Sequence, residues 1–196
     1  MRLPSVRTVA WGFPDDWVQW FVSDVTEAAD EIGTLRETSS VAAALLAAVE
    51  KYDTMVSTEL PGTTAAALWV PGRGVRRPLA SATLRVADEP ESGRLDVEPL
   101  MEFVRERARG GRGERVLDVA AMPSRVIAGD AVLRIVDTSR LFSRQVNRRW
   151  TWFVLPPGTG ATIACELESS AIAHFDELAD MATDIANSVT VTLEPA

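Results

Sequence analysis

The chain's single histidine, His174, lies in "HFDELADMATD", two residues before the first of three aspartates, Asp176, Asp180 and Asp184, that recur at every fourth position. Histidine beside carboxylates is the raw material of metal ligation and of acid/base chemistry. Helix geometry works against both here. Positions i, i+4 and i+8 share one stripe, while Ile172, Phe175, Leu178, Ala182 and Ile185 form the opposite, core-facing one. His174 stands on a third side, nearest Glu177 and Leu178, and does not converge with the aspartates. The segment therefore reads as a solvated acidic face with a histidine at its edge. Like charges at i, i+4 cost roughly 0.2–0.5 kcal/mol per pair when nothing neutralises them. The positive end of the helix dipole favours Asp176 but not Asp184, near the other end. The stripe is thus expected to meet arginines, either within the fold or on a partner.

The arginines offer two further candidates. "PGRGVRRP" holds Arg73, Arg76 and Arg77, and "RERARGGRGER" holds Arg109 and Arg112. Glycines free backbone amides to wrap a phosphate, and arginines add charge. In the second segment, though, Gly110 and Gly111 are what a helix C-cap requires, and the arginines suit the negative end of a helix. No GK[ST] follows and no strand immediately precedes, so this is not a nucleotide-binding loop. Both segments are read as basic contact patches. A Ser–His or Cys–His pair would have to use His174, and no G-x-S-x-G elbow surrounds any serine. Cys165 alternates in phase with Ile163 and Leu167, the pattern of an inert core thiol. No catalytic set, metal set or cofactor motif is expected, and the chain is read as a non-enzyme.

Several elements must carry these residues. "WVQWFV" reads as a first strand, followed by helices in "SDVTEAADEI" and "SSVAAALLAAVEKY". "AAALWV" and "PLASATLRVAD" alternate as a hairpin across "PGRGVRRP". "DVEPLMEFVRERARGG" is a helix with Leu100, Phe103 and Val104 inward, and "ERVLDVAAM" and "DAVLRIVD" are strands flanking the turn-rich "PSRVIAGD". "RRWTWFVLPPGTGATIACELES" is the clearest hairpin, and a last helix, 172–187, leads into "SVTVTL". Trp150, Trp152 and Val154 share one strand face and Thr151, Phe153 and Leu155 the other, so this strand is placed centrally with helices on both sides. Trp150 and Trp152 are read as core, with a ligand groove as the alternative. The expected fold is one α+β domain over 1–196, an antiparallel six- to seven-stranded sheet with helices packed on both faces.

Four patterns resemble the Mog1/PsbP-like proteins, especially an uncharacterised group common in actinobacteria. They are "GFPDDWVQW", "MPSRVIAGDAVLRIV", "RRWTWFVLPPGTGATIACELES" and "HFDELADMATDIANSVTVTL", in the family's order over most of the chain. The resemblance implies an α/β/α sandwich with an antiparallel sheet and no enzymatic activity. Relatives of this fold serve as a small-GTPase regulator, photosystem subunits and secretion-effector chaperones. It carries over no functional residues. The chain departs from the pattern at "MPSRVIAGDAVLR", where relatives often have a compact "LPAGPAVR"-like stretch.

The net charge of −8 repels nucleic acid and anionic membranes, so neither is expected as a partner. The longest apolar run, "VAAALLAAV", is far short of the roughly 20 residues of a membrane span. Without an apolar leader near the N-terminus, and with one cysteine, the chain is expected in the cytoplasm. Charge comes in blocks, with 15–59 and 166–184 acidic and 73–77, 105–115 and 140–149 basic, and such blocks pair with each other or with another copy. The expected function is a non-catalytic protein–protein interaction or chaperone-like module that binds an unknown partner, with a symmetric homodimer as the default self-associated form. The alternative is a small-ligand carrier with Trp150 and Trp152 lining an aromatic pocket.

Overall fold

The computed structural model describes residues 4–35, 39–72, 75–87, 96–107, 114–140 and 145–194. It is an α+β fold whose larger sheet runs β2-β3-β4-β8-β7-β6-β5, with a two-stranded sheet of β1 and β9 apart from it. The chain divides into two compact units, 13–85 and the remainder.

In the unit 13–85, β2 (Trp17–Phe21), β3 (Thr63–Trp69) and β4 (Ala80–Ala87, its last two residues belonging to the other unit) pair antiparallel in sequence. Helices α1 (Thr26–Leu35) and α2 (Ser39–Glu59) pack on them. Leu45, Val49, Ala28 and Ile32 close over Val18, Trp20, Ala66 and Leu68 in one apolar cluster. Trp20 Nε1 and the Ser23 amide both donate to Asp53 Oδ1, at 3.0 and 2.9 Å, so the polar edge of a buried indole is satisfied from α2. Helix α2 runs to Glu59, seven residues beyond the expected "SSVAAALLAAVEKY", because its apolar spacing continues to the fully buried Val56.

The other unit contains β5 (Glu114–Val126), β6 (Gly129–Arg140), β7 (Val146–Leu155) and β8 (Thr162–Ser169), an antiparallel meander. It also holds α3 (Val97–Glu106), a 3-10 turn at Ile172–His174, α4 (Phe175–Ser188), and the pair β1 (Val6–Ala10) and β9 (Thr190–Leu193). The register sorts side chains into two faces. Val132, Phe153 and Leu155 meet Leu100 and Val104 of α3 on one. Trp150 meets Phe175 of α4 edge-on, with ring centres 5.7 Å apart, on the other. A helix thus packs on each face of this meander, as the two-sided apolar pattern of β7 requires.

Four details depart from expectation. The segment "PSRVIAGD" is mostly strand, with only Ile127 and Ala128 left between β5 and β6. Pro123 is tolerated because β5 ends the strand order, where a missing N–H breaks no ladder. Gly129 makes the tight return possible at φ 148°, since a Cβ there would lie 2.5 Å from the Leu155 carbonyl oxygen. Phe103, expected inward, is 48% exposed beneath the Arg107 guanidinium, 4.3 Å from the ring centre. Ile172 is 56% exposed, because the 3-10 turn rotates it off the buried stripe of α4. Strand β1 was not anticipated at all.

Candidate functional site

Strand β7 begins "VNRRWTW", and its pleat sends the consecutive Arg148 and Arg149 to opposite faces. Each needs carboxylates, because a guanidinium cannot shed its charge.

On the α3 face, Arg149 Nε lies 2.7 Å and Nη2 2.6 Å from Glu168 Oε2, with Glu166 Oε1 at 3.3 Å. Asn147 Nδ2 donates to Glu168 Oε1 at 2.6 Å, and the Thr151 hydroxyl donates to Glu166 Oε2 at 3.2 Å. Burial opposes the charge of Arg149, but Glu166, Glu168 and Glu114 outweigh it and hold its pKa above the ordinary value. This network borders a cleft of about 310 Å³ lined by Glu114, Gln145, Asn147, Glu168 and Ser170. The cleft is polar. Glu168 already accepts from Asn147 and Arg149, so it serves as a fixed acceptor wall rather than as a base. The arrangement suits a small polar solute held by hydrogen bonds.

On the α4 face, Arg148 Nε and Nη2 each lie 2.7 Å from an oxygen of Asp137, a bidentate fork. Its guanidinium stands 4.8 Å from the centre of the Phe175 ring and 5.9 Å from that of Trp150. The Asp137 bond, opposed by burial and assisted by the charges of Asp137, Asp176 and Asp118, raises its pKa. Asp176 is near enough to add to the field at Arg148, whose direct partner is Asp137.

The other expected residues fall as follows. Asp180 and Asp184 are exposed and make no ion pair among the described residues. His174 Nδ1 lies 3.0 Å from Glu177 Oε2, the neighbour its helical position implied. Arg76 and Arg77 are exposed, whereas Arg73, Arg109 and Arg112 lie outside the described residues. Trp150 and Trp152 are each 2% exposed, so the aromatic groove is not formed: both rings are core beneath α4. Cys165 shares that core, and burial pushes its thiol pKa up to about 12. Among the described residues, no group of three or more metal-ligating side chains converges. Sequence reasoning missed Arg148, Arg149, Glu166 and Glu168 as a unit. The visible signal was the alternation of Cys165 and Leu167 with Glu166 and Glu168, one apolar face and one acidic face on the same strand.

No family model and no curated protein sequence matches the chain. Among solved structures, the crystal structure of LpqN, involved in cell envelope biogenesis of Mycobacterium tuberculosis, is similar with a TM-score of 0.50. The match covers 96% of this chain and 85% of that one at 12% identity, a likeness of fold.

Two outcomes follow from these networks. Arg149→Met strands Glu166 and Glu168, and urea unfolding should show a loss of about 3 kcal/mol. Most of it should return when Glu166→Gln and Glu168→Gln are added, and a loss below about 0.5 kcal/mol would mean that solvent screens the network. For Cys165, the native state keeps its proton at pH values where the unfolded thiol loses it, so the unfolded state binds fewer protons. Stability should therefore fall as pH rises from about 9 to about 12, by up to about 1.4 kcal/mol per unit. Cys165→Ala should flatten that slope, and an unchanged slope would contradict the assignment.

Proposed function

We propose that this chain is a non-catalytic binding module on a Mog1/PsbP-like scaffold, acting by protein–protein contact in the cytoplasm. The observation that carries the reading is the unneutralised end of α4. Asp180 and Asp184 stay exposed at i, i+4 on a helix with no basic residue in its last turn, and the dipole disfavours Asp184 near that end. A residue pattern that costs stability and is not offset within the described fold is accounted for by a basic partner.

The groups that could do chemistry already have structural roles. His174 pairs with Glu177, Cys165 is sealed and hard to ionise, and Glu168 is held by Arg149 and Asn147. That supports a binding role over a catalytic one. No described helix is long and apolar enough to cross a membrane. A thiol as buried as Cys165 is protected in any compartment, so the cysteine does not decide between cytoplasm and envelope. LpqN's involvement in cell envelope biogenesis adds envelope proteins to the partners worth testing. The polar cleft favours a second reading, a carrier of a small polar solute, over the aromatic pocket first considered.

Asp180→Asn with Asp184→Asn tests the module directly. Removing like charges and an unfavourable dipole contact should gain roughly 0.5 kcal/mol, a rise in Tm of about 1–2 °C. The same variant, immobilised, should recover less of the protein set that the wild type retains from lysate. A variant that melts higher and recovers the full set would end the proposal.

A further inference from the structure

Neighbouring strands lie about 4.8 Å apart, so a pair of strands offers the width of one helix, roughly 10 Å. The four-stranded meander therefore has two helix-wide slots on each face. On one face, α3 lies over β5 and β6 and covers Val132, which is 0% exposed. On the opposite face, α4 lies over β7 and β8. Within this unit no described helix fills the slot beside it, over β5 and β6.

The floor of that slot is apolar. Ala120 and Met122 of β5 pair with Ile135 and Leu133 of β6 and point to the α4 face. Met122 is 41% exposed, and Ala120, Leu133 and Ile135 are only half-buried. One wall is α4 itself, where Asp176, Ala179 and Thr183 form a single stripe by helical periodicity. Ala179 is small enough for a second helix to approach closely. The slot is also acidic: Arg148 is matched by Asp137, and Asp118 and Asp176, both close enough to act on Arg148, remain in excess. The outer edge of β5 is less inviting, since Pro123 and a bulge between Val116 and Asp118 interrupt it.

We propose that the open slot over β5 and β6 docks an amphipathic helix from another protein, its apolar stripe on Met122, Leu133 and Ile135 and its Lys or Arg flank on Asp118 and Asp176. This rests on the contact-module reading and assigns that reading a surface and a partner chemistry. Apolar burial supplies affinity and the acids select a cationic flank. A second copy is a poor occupant, because among the described residues the exposed aromatic ring capped by an arginine, Phe103 with Arg107, is on α3. Joining it to the slot is heterologous and generates chains rather than a closed dimer.

The test uses the full chain, labelled for NMR, and a synthetic amphipathic helical peptide with leucines on one face and lysines along its flank. Saturable shifts at the amides of Ala120, Met122, Leu133, Ile135 and Ala179 are expected. Binding should weaken roughly tenfold in Asp118→Asn with Asp176→Asn, and again in Met122→Gln, with native circular dichroism and cooperative melting retained to show intact folding. A control peptide with glutamates for lysines should not bind. Shifts spread evenly along the acidic surface, no saturable binding, or shifts with protein concentration alone would each overturn the slot. If the variants then still recovered the wild-type protein set from lysate, the contact-module reading would stand without it. An empty recovery from wild type as well would remove both.

Discussion

Two consecutive arginines on a central strand impose the constraint on which the larger unit depends. Strand β7 is apolar on both faces over Trp150–Leu155, which makes it central, and Arg148 and Arg149 carry the same two-sidedness into its polar end. A guanidinium inside a sheet must be matched wherever its side chain points. Asp137 of β6 meets Arg148, and Glu166 and Glu168 of β8 meet Arg149, so one dipeptide fixes the register of three strands through opposite faces. A slip of one residue would exchange the arginines between the faces and turn the buried Trp150, Trp152 and Val154 away from their core.

The helices are placed by the same strand. Phe175 packs against Trp150 and beneath the Arg148 guanidinium, which anchors the start of α4 over β7 and β8. Its continuation buries Leu178, Ala182 and Ile185 and turns Asp180 and Asp184 outward. Helix α3 takes the other face, over β5 and β6. The staggered placement leaves one half-face apolar and rimmed by acid, and it leaves the α3 face with a polar cleft beside Arg149. Surface chemistry is therefore a consequence of how the core is sorted.

Much of this was legible in the sequence. The hairpin "RRWTWFVLPPGTGATIACELES" revealed its strands, its central position and the inward face of Cys165, because alternation with period two survives any error in boundaries. The buried stripe of α4 was equally clear from Phe175, Leu178, Ala182 and Ile185. Most of what failed depends on neighbours remote in sequence, Phe103 being the exception. Phe103 fits an inward helical position, but Arg107 one turn later covers it in solvent. Pro123 reads as a breaker unless its strand is known to be an edge. Charge blocks implied that basic segments would meet acidic ones within the fold or across copies, and Arg149 with Glu166 and Glu168 is one such meeting. Which residues would join required the register. The cleft could not be read at all, since Glu114, Gln145 and Ser170 come from three separate segments. Arg73, Arg109 and Arg112 fall outside the described residues.

The chain holds a single lysine, Lys51. A zero-length carbodiimide cross-link, which joins carboxylates to amines in direct contact, therefore reports foreign lysines against almost no internal background. Applied to lysate of cells that express the protein and read by mass spectrometry, it should link the peptide bearing Asp176, Asp180 and Asp184 to lysines of another protein, with the links lost as salt rises. Links confined to Lys51, or none on the terminal helix at low salt, would contradict the account of this chain as a contact module working through its acidic surface.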